Sequence, residues 1–434
     1  MHAPPRTTSP HRRKLAAVAL VAAITVATLL LIRGMHSDSA QHEHSSTEDT
    51  AHPRKEKPSG LPAEGSSRSE LTRKEQPWRE APTRSGVDAS NIYKNAFVLF
   101  DRLTDEEKKM IREPREEVDA EKAAALFEKI RAIMDLLREA AKADYCDWGM
   151  APYNFDTPLP QIPKSMDLGK LALWAAAYQF PTDPAAALDA LSARAQLGHH
   201  IADTLIGLLV ETTFEKSAHD LLRPNLSSLD AAAAVRATEF VRGSTIDADI
   251  ARALETEATS VDAIATQFAG KTERERAQLL GVVDGAATEL TQGSTMAEAL
   301  ATFDDPARLA AESAFIRKTE KEMSAAMMLP EAQFQSWWKG VESEIANGHP
   351  LAKITLPSVA AVQRKMQQTR VERTLLSAGI DVLQNGPAQL ANYRDPATGN
   401  ALTYIPNPAG FELRSTYEVK GKPVTLSFSK PSQP

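Results

Sequence analysis

Among 434 residues there is one cysteine, Cys146. A single thiol excludes an intrachain disulfide framework and any cysteine-rich zinc site. Aromatic side chains are scarce at 6 %, while apolar residues reach 42 %, with alanine carrying much of that share. The balance favours helices packed at close range over a strand-rich core. Positive charge is not in excess either. The formal net charge of -7 argues against nucleic acid, which rewards clustered Lys and Arg. Also missing are a Gly-x-Ser-x-Gly elbow, a Walker A loop, a Gly-x-Gly-x-x-Gly turn after a strand and a His-Glu-x-x-His helix. Acidic residues are plentiful, yet Asp304 and Asp305 before Pro306 read as a helix start rather than a catalytic dyad.

One long apolar run is present. Residues 15–32, LAAVALVAAITVATLLLI, hold no charge and meet the lower limit for spanning a bilayer, about 17 residues. Arg6, Arg12, Arg13 and Lys14 precede the run, and Asp38, Glu43, Glu48 and Asp49 follow it. The positive-inside bias then keeps residues 1–14 in the cytoplasm and sends the rest across the membrane. A cleaved signal peptide is the rival reading. It calls for an apolar core of about 7 to 15 residues and a small-x-small cleavage site. Here Arg33 follows at once, and Asp38 spoils the nearest candidate, which ends at Ala40. The expectation is a single-pass signal anchor at 15–32 in a bacterial inner membrane, with a periplasmic ectodomain. Residues 33–88 carry many Ser, Pro, Glu, Lys and His and almost no large apolar side chains. Such a segment cannot offset its chain entropy by burial and reads as a disordered linker, with His36, His42 and His44 solvated.

From Ser90 the 3.6-residue period takes over, and residues 89–350 read as an α-helical ectodomain. Ile92, Ala96, Leu99 and Leu103 share one helical face, and Thr104 with Glu107 forms a capping box for the next helix. Leu126, Ile130, Ile133, Leu137 and Ala140 line another face. Asp183 and Pro184 open a long helix that ends before Pro224. Further helices are expected near 228–242, 245–269, 272–291, 295–303, 306–328 and 331–346. "ATEFVRGST" at 237–245 recurs as "ATELTQGST" at 287–295. Each copy is a helix closed by glycine, then a new one opened by Ser or Thr. The whole is mainly α: an irregular helical bundle or a short helical-hairpin array.

Residues 351–434 form a different module, a small C-terminal α+β tail. A helix at 358–384 precedes turn clusters and runs of period two. Phe411, Leu413, Ser415, Tyr417 and Val419 alternate with Glu412, Arg414, Thr416 and Glu418, as a half-buried strand should. With Leu402–Ile405 before them and Val424, Leu426 and Phe428 after a turn at 420–422, they make a three-stranded antiparallel meander. The pattern Asp395-Pro396-x-Thr398-Gly399-x-x-Leu402-x-Tyr404, followed by Gly410-Phe411-x-Leu413, resembles the globular end of the major pseudopilins of type II secretion. That resemblance implies a long helix packed on a small antiparallel sheet. Two departures accompany it. Pseudopilins enter the membrane through the same long helix, whereas the apolar run here lies far upstream. Their acidic calcium-binding loops have no counterpart in this tail, so no metal ligands carry over. "NAFVLF" at 95–100, "DYCDWG" at 144–149, "LGHH" at 197–200 and "DPATG" at 395–399 also give the chain a likeness to membrane-anchored bacterial envelope proteins with a helical ectodomain, a group without an activity to transfer.

Few residues suggest chemistry. Cys146 with His199 is a candidate reactive thiol, but Asp144 and Asp147 flank it and a helix C-terminus lies close, both of which disfavour a thiolate. A buried structural cysteine is the bland alternative. On a helix continuous through residue 206, His199 falls near Leu188, Ala195, Ala202 and Ile206 and faces the packed side, while His200 points elsewhere. His199 with Asp203 and Glu215 with His219 are i, i+4 pairs. Glu211, Glu215 and His219 line one stripe and could hold a metal with ligands from another helix. Di-iron bundles use Glu-x-x-His instead, so satisfied or solvated histidines are the default, with no metal and no cofactor expected. Tyr145, Trp148, Tyr153 and Phe155, around a proline-rich loop, could line a groove for a peptide or glycan; alternatively they staple the loop to the bundle. Of the adjacent pair Trp337 and Trp338 one packs, and Trp338 is the candidate for a partner. The expected function is a non-catalytic, membrane-anchored envelope protein with a binding or scaffolding ectodomain for an envelope protein or glycan. The alternatives are an envelope enzyme with its site between the Cys146 loop and the His199 helix, or an accessory part of a secretion or pilus-like assembly.

Overall fold

The computed structural model describes residues 86–113, 119–149, 159–268 and 301–429, together with 271, 272, 275 and 298. The apolar run at 15–32, the linker up to residue 85, the loop positions Tyr153 and Phe155 and the second GST turn at 287–295 lie outside the described residues. Among the described residues no helix is long and apolar enough to cross a membrane.

The chain is mainly α-helical with a small C-terminal antiparallel sheet. The helices are α1 (Ala89–Asp101), α2 (Asp105–Arg112), α3 (Ala120–Ala140), α4 (Gln161–Gln179), α5 (Pro184–Ile201), α6 (Leu205–Asn225), α7 (Ala231–Arg242), α8 (Ile246–Phe268), α9 (Pro306–Ala326), α10 (Glu331–Ala346), α11 (Pro350–Thr355) and α12 (Pro357–Asn385). Capping chemistry explains several of these starts. Thr104 Oγ1 accepts the Glu107 amide at 3.3 Å and Glu107 returns the contact to the Thr104 amide at 2.7 Å, completing the expected box. Asp183 accepts from the Ala186 amide at 2.9 Å ahead of Pro184.

The long helix expected from 184 to 223 is in fact two. The chain breaks at Ala202–Thr204, and Thr204 caps α6 by accepting the Gly207 amide at 3.2 Å. Gly207 is needed at this corner, because a Cβ there would collide with the Ile201 carbonyl. Apolar periodicity runs through the break unchanged, so period alone reads one helix where the Asp-Thr pair marks a boundary.

Two buried clusters organise these helices. The first joins α1 to α7 with the C-terminal part of α12 and the sheet: Ile130, Leu137, Leu171, Leu191, Val371, Leu375, Leu413 and Phe428 all belong to it. The second holds α8 to α11 around the N-terminal part of α12, including Ile250, Phe334, Trp338, Val362 and Met366. Helix α12 therefore runs through both, and the tail shares its core with the N-terminal helices. At that junction Phe428 packs where Gly379 has no side chain; a Cβ there would collide with its ring.

The sheet has the order β1 (Thr403–Asn407), β2 (Gly410–Val419), β3 (Lys422–Ser429), antiparallel throughout. Tyr404 faces Leu413, Leu413 faces Leu426, and Phe411 faces Phe428. Lys420 and Gly421, at φ 53° and 73°, make the tight turn of the β2–β3 hairpin, where positive φ matches the strand twist. The DPATG segment has a structural role here. Asp395 is buried, and its carboxylate accepts from the Ala397 amide at 2.8 Å, the Thr416 amide at 3.1 Å and the Ser415 hydroxyl. It thereby holds the register shift of β2 between Arg414 and Glu418.

Candidate functional site

The Cys146 corner is built as structure. The Ala89 amide donates to the Tyr145 carbonyl at 2.9 Å and the Asp144 amide to the Val87 carbonyl at 3.2 Å, so residues 144–145 pair with the start of α1. Trp148 stacks on Tyr93 at 5.7 Å and on Phe97 at 6.1 Å between ring centroids, and donates its indole N–H to the His200 carbonyl at 2.7 Å. Its ring is thus spent on tying the loop to α1 and α5. Cys146 is buried, and burial, reinforced by Asp88, Asp203 and Asp147, pushes its thiol far above the usual range. A thiolate is disfavoured there.

Two sequence readings are corrected. Trp338, placed on a partner surface, is only 6 % exposed and stacks on Phe334 while its indole N–H donates to Glu342 at 2.7 Å; Trp337 is the more open of the two. The histidines are also reversed. His200 is buried and contacts the Tyr93 hydroxyl through Nδ1 at 2.9 Å and Gln196 Nε2 through Nε2 at 3.0 Å, whereas the His199 side chain is 26 % exposed. With the Gln196 amide donating, His200 accepts at Nε2 and gives its Nδ1 proton to Tyr93. Burial pushes its pKa down to about 4. His200 is covered because α1 and the Trp148 loop pack over its side of α5, through Tyr93 and the Trp148 indole. His199 meets Asp249 at 2.8 Å rather than Asp203, which pairs with Arg252.

The stripe Glu211, Glu215 and His219 on α6 is where polar groups collect. All three are buried, at 5 %, 8 % and 6 % exposure, and all three line a cavity of about 390 Å³ between α5, α6, α7 and the turn Gly243–Thr245. Ser244 donates to Glu215 Oε2 at 2.5 Å, and Thr245 Oγ1 lies 3.2 Å from Glu211 Oε1. His219 Nδ1 has no hydrogen-bond partner, and no donor group reaches the other Glu211 oxygen, Oε2, although its carboxyl is within hydrogen-bonding reach of the Asp249 carboxyl. Glu215 Oε1 has a distant cation, Arg373 Nη1 at 3.9 Å. Phe240 stands edge-on to the His219 ring at 6.2 Å, and Gln196, Arg236 and Glu239 complete the wall.

Burial sets the charge state of this cleft. It raises Glu215, with Arg373 and Ser244 opposing, and it raises Glu211 well above the carboxylate range, with the Asp249 carboxyl adding to the effect. It lowers His219 to about 3, with Arg373 and Lys216 adding repulsion. The imidazole is therefore neutral at ordinary pH, able to give one hydrogen bond and accept another.

No family model matches this chain, and no curated protein or solved structure matches it either. The chemistry of the site rests on its geometry.

Behind Glu211 the polar cluster continues away from the cleft. Asp249, fully buried in the first turn of α8, meets His199 Nδ1 at Oδ2, and its Oδ1 forms an ion pair with Arg252 Nη1 at 2.9 Å. Sequence reasoning singled out His199 and the α6 stripe but not Asp249, Ser244, Thr245 or Arg373. Two of them carry a sequence signal: the GST turn that closes α7 supplies both hydroxyls that meet the glutamates. Asp249 looked like an ordinary first-turn acid, and only tertiary packing buries it.

Proposed function

We propose that this chain is a non-catalytic, membrane-anchored envelope protein whose folded part is a binding module, with its site in the cleft between α5, α6 and α7. One observation carries the reading. His219 Nδ1 and Glu215 Oε1 are buried without hydrogen-bond partners beside a cavity of about 390 Å³. Buried polar groups left unpaired cost about 1–3 kcal/mol each, and a ligand that meets them recovers that cost. The cavity volume falls in the range of roughly 300–1,000 Å³ common for small-molecule sites.

Two carboxyl groups at the base offer acceptors to a ligand that carries hydrogen-bond donors, and the positive charge of a small amine would draw them out of the protonated form that burial favours. The phenyl edges of Phe214 and Phe240 suit the carbon chain of such a molecule. Binding is favoured over catalysis because Ser244 gives its proton to a carboxyl rather than to a base. His219, with a pKa near 3, is also a poor general base at neutral pH. The anchor at 15–32 would hold the module at the membrane, and the linker would set its reach.

The test is a thermal melt of the full chain in detergent, with small primary amines, diamines and quaternary amines beside matched carboxylic acids. The amines should raise the melting temperature in a concentration-dependent way, and Glu215→Gln should abolish the rise. A response to the acids alone, or an equal response in the variant, would sink the reading.

A further inference from the structure

His199 on α5, Glu211 on α6 and Asp249 on α8 each offer a ligand atom within 4.8 Å of the others, the one such metal-compatible group found among the described residues. We propose that these three side chains form a binding site for a divalent transition-metal ion. The cleft reading shares only Glu211 with this site, since His199 and Asp249 do not line the cleft.

Charge is the first argument. Asp249 and Asp203 share a single cation, Arg252, which contacts Asp203 through Nε at 2.8 Å and Asp249 through Nη1 at 2.9 Å, while Glu211 stands beside Asp249 outside that pairing. One guanidinium thus serves two carboxylates, and it leaves the adjacent Glu211 carboxyl without a cation of its own. A dication placed between Glu211 and Asp249 removes that deficit and turns their mutual repulsion into joint ligation.

Geometry is the second. With metal–ligand bonds of about 2.1 Å, neighbouring ligand atoms lie roughly 3.0–3.4 Å apart. His199 Nδ1 and Asp249 Oδ2 are already at 2.8 Å. Closing the rest from at most 4.8 Å takes a side-chain adjustment of about 1–2 Å, without movement of the helices. The third argument is the orphan atom. Glu211 is 5 % exposed and no donor group reaches its Oε2; beyond Thr245 its carboxyl meets the Asp249 carboxyl, a second acceptor, so the two share a need that a metal ion would meet. Around these ligands the fold supplies orienting contacts. Arg252 Nη1 steadies Asp249, its Nη2 donates to the His199 carbonyl at 2.6 Å, and Thr245 lies 3.2 Å from Glu211 Oε1.

The donor set names the metal class. One imidazole and two carboxylates suit zinc, cobalt, iron or manganese better than calcium, which takes six to eight oxygens. Three protein ligands leave at least one coordination position to solvent or a small molecule.

Cobalt(II) is the direct probe, because its visible absorption changes with coordination. The full chain, purified in detergent and dialysed against chelator, should bind one Co²⁺ per chain with a new visible band, and Zn²⁺ should displace it. His199→Gln and Asp249→Asn should each weaken Co²⁺ by at least tenfold. His199→Gln is the safer variant, since that side chain is partly exposed. Glu215→Gln should leave Co²⁺ affinity within about threefold while removing the amine response of the cleft, which separates failure of one reading from failure of the other. Absence of saturable Co²⁺ and Zn²⁺ binding by the wild-type chain would overturn the proposal. So would unchanged Co²⁺ affinity in both His199→Gln and Asp249→Asn.

Discussion

Ser244 gives its hydroxyl proton to Glu215 Oε2 at 2.5 Å, which fixes the turn between α7 and α8 onto the middle of α6. That contact closes one end of the cleft and accounts for one of the two Glu215 oxygens. Replacing Ser244 by Ala leaves a buried carboxyl short of its donor. The expected loss in a urea denaturation is about 1–3 kcal/mol. Ser244→Thr, which keeps the hydroxyl, should lose less. Equal stability of Ser244→Ala and wild type would show that the contact does not form.

Cys146 should be unreactive in the folded chain. Its thiol is buried and raised by burial and by Asp88, Asp203 and Asp147, so neither access nor thiolate is available. Iodoacetamide at pH 7 to 8 should label it only after denaturant is added. Fast labelling of the native protein would reopen the case for a thiol site.

Trp148 carries the connection between α1 and α5. Trp148→Ala removes the stacking on Tyr93 and Phe97 and the bond to the His200 carbonyl, and should destabilise by about 3–5 kcal/mol, the usual range for a large aromatic. Trp148→Phe, which keeps the ring and loses the N–H, should cost about 1–2 kcal/mol. Neither variant should alter amine binding once its fold is verified by circular dichroism. A selective loss of binding would return Trp148 to the ligand surface.

Glu320 on α9 gives the fold a pH dependence far from the cleft. Burial and the Glu257 carboxyl on α8 push it up to about 8. The folded state therefore holds its proton more tightly than the unfolded chain. Its contribution is complete below about pH 4.5 and is lost as pH rises through 8, with each tenfold change in proton affinity worth about 1.4 kcal/mol. Stability of the wild type should fall between pH 6 and pH 9. Glu320→Gln should flatten this slope, and parallel curves for the two proteins would contradict the assignment.

The parts of the fold legible in the sequence are those where local chemistry and tertiary packing agree. Thr104 with Glu107, Asp183 before Pro184 and the alternation from Phe411 to Val419 all appear in the structure as read. The break between α5 and α6 was missed because apolar spacing continues across Ala202–Thr204 while only the capping residues announce the stop. The histidine pair was misjudged for a separate reason: helical phase places His199 and His200 on different sides of α5, but only tertiary packing, by Tyr93 and Trp148, decides which side is covered. The α6 stripe was legible because Glu211, Glu215 and His219 are four residues apart, which places them on one face whatever the fold does. What covers that face was not legible. Ser244, Thr245 and Asp249 reach it from α7 and α8 through packing, and Trp338 is buried for the same long-range reason, in the cluster it shares with Ile250, Val362 and Met366.

The central claim is that the cleft over Glu211, Glu215 and His219 takes a positively charged small molecule. A crystal structure of the chain with the amine that raises its melting temperature most is the direct measurement. The account predicts the amine nitrogen within about 3 Å of Glu215 Oε1 or Glu211 Oε2, with its carbon chain against Phe214 and Phe240. An amine bound elsewhere, over a cleft that holds only water, would contradict it.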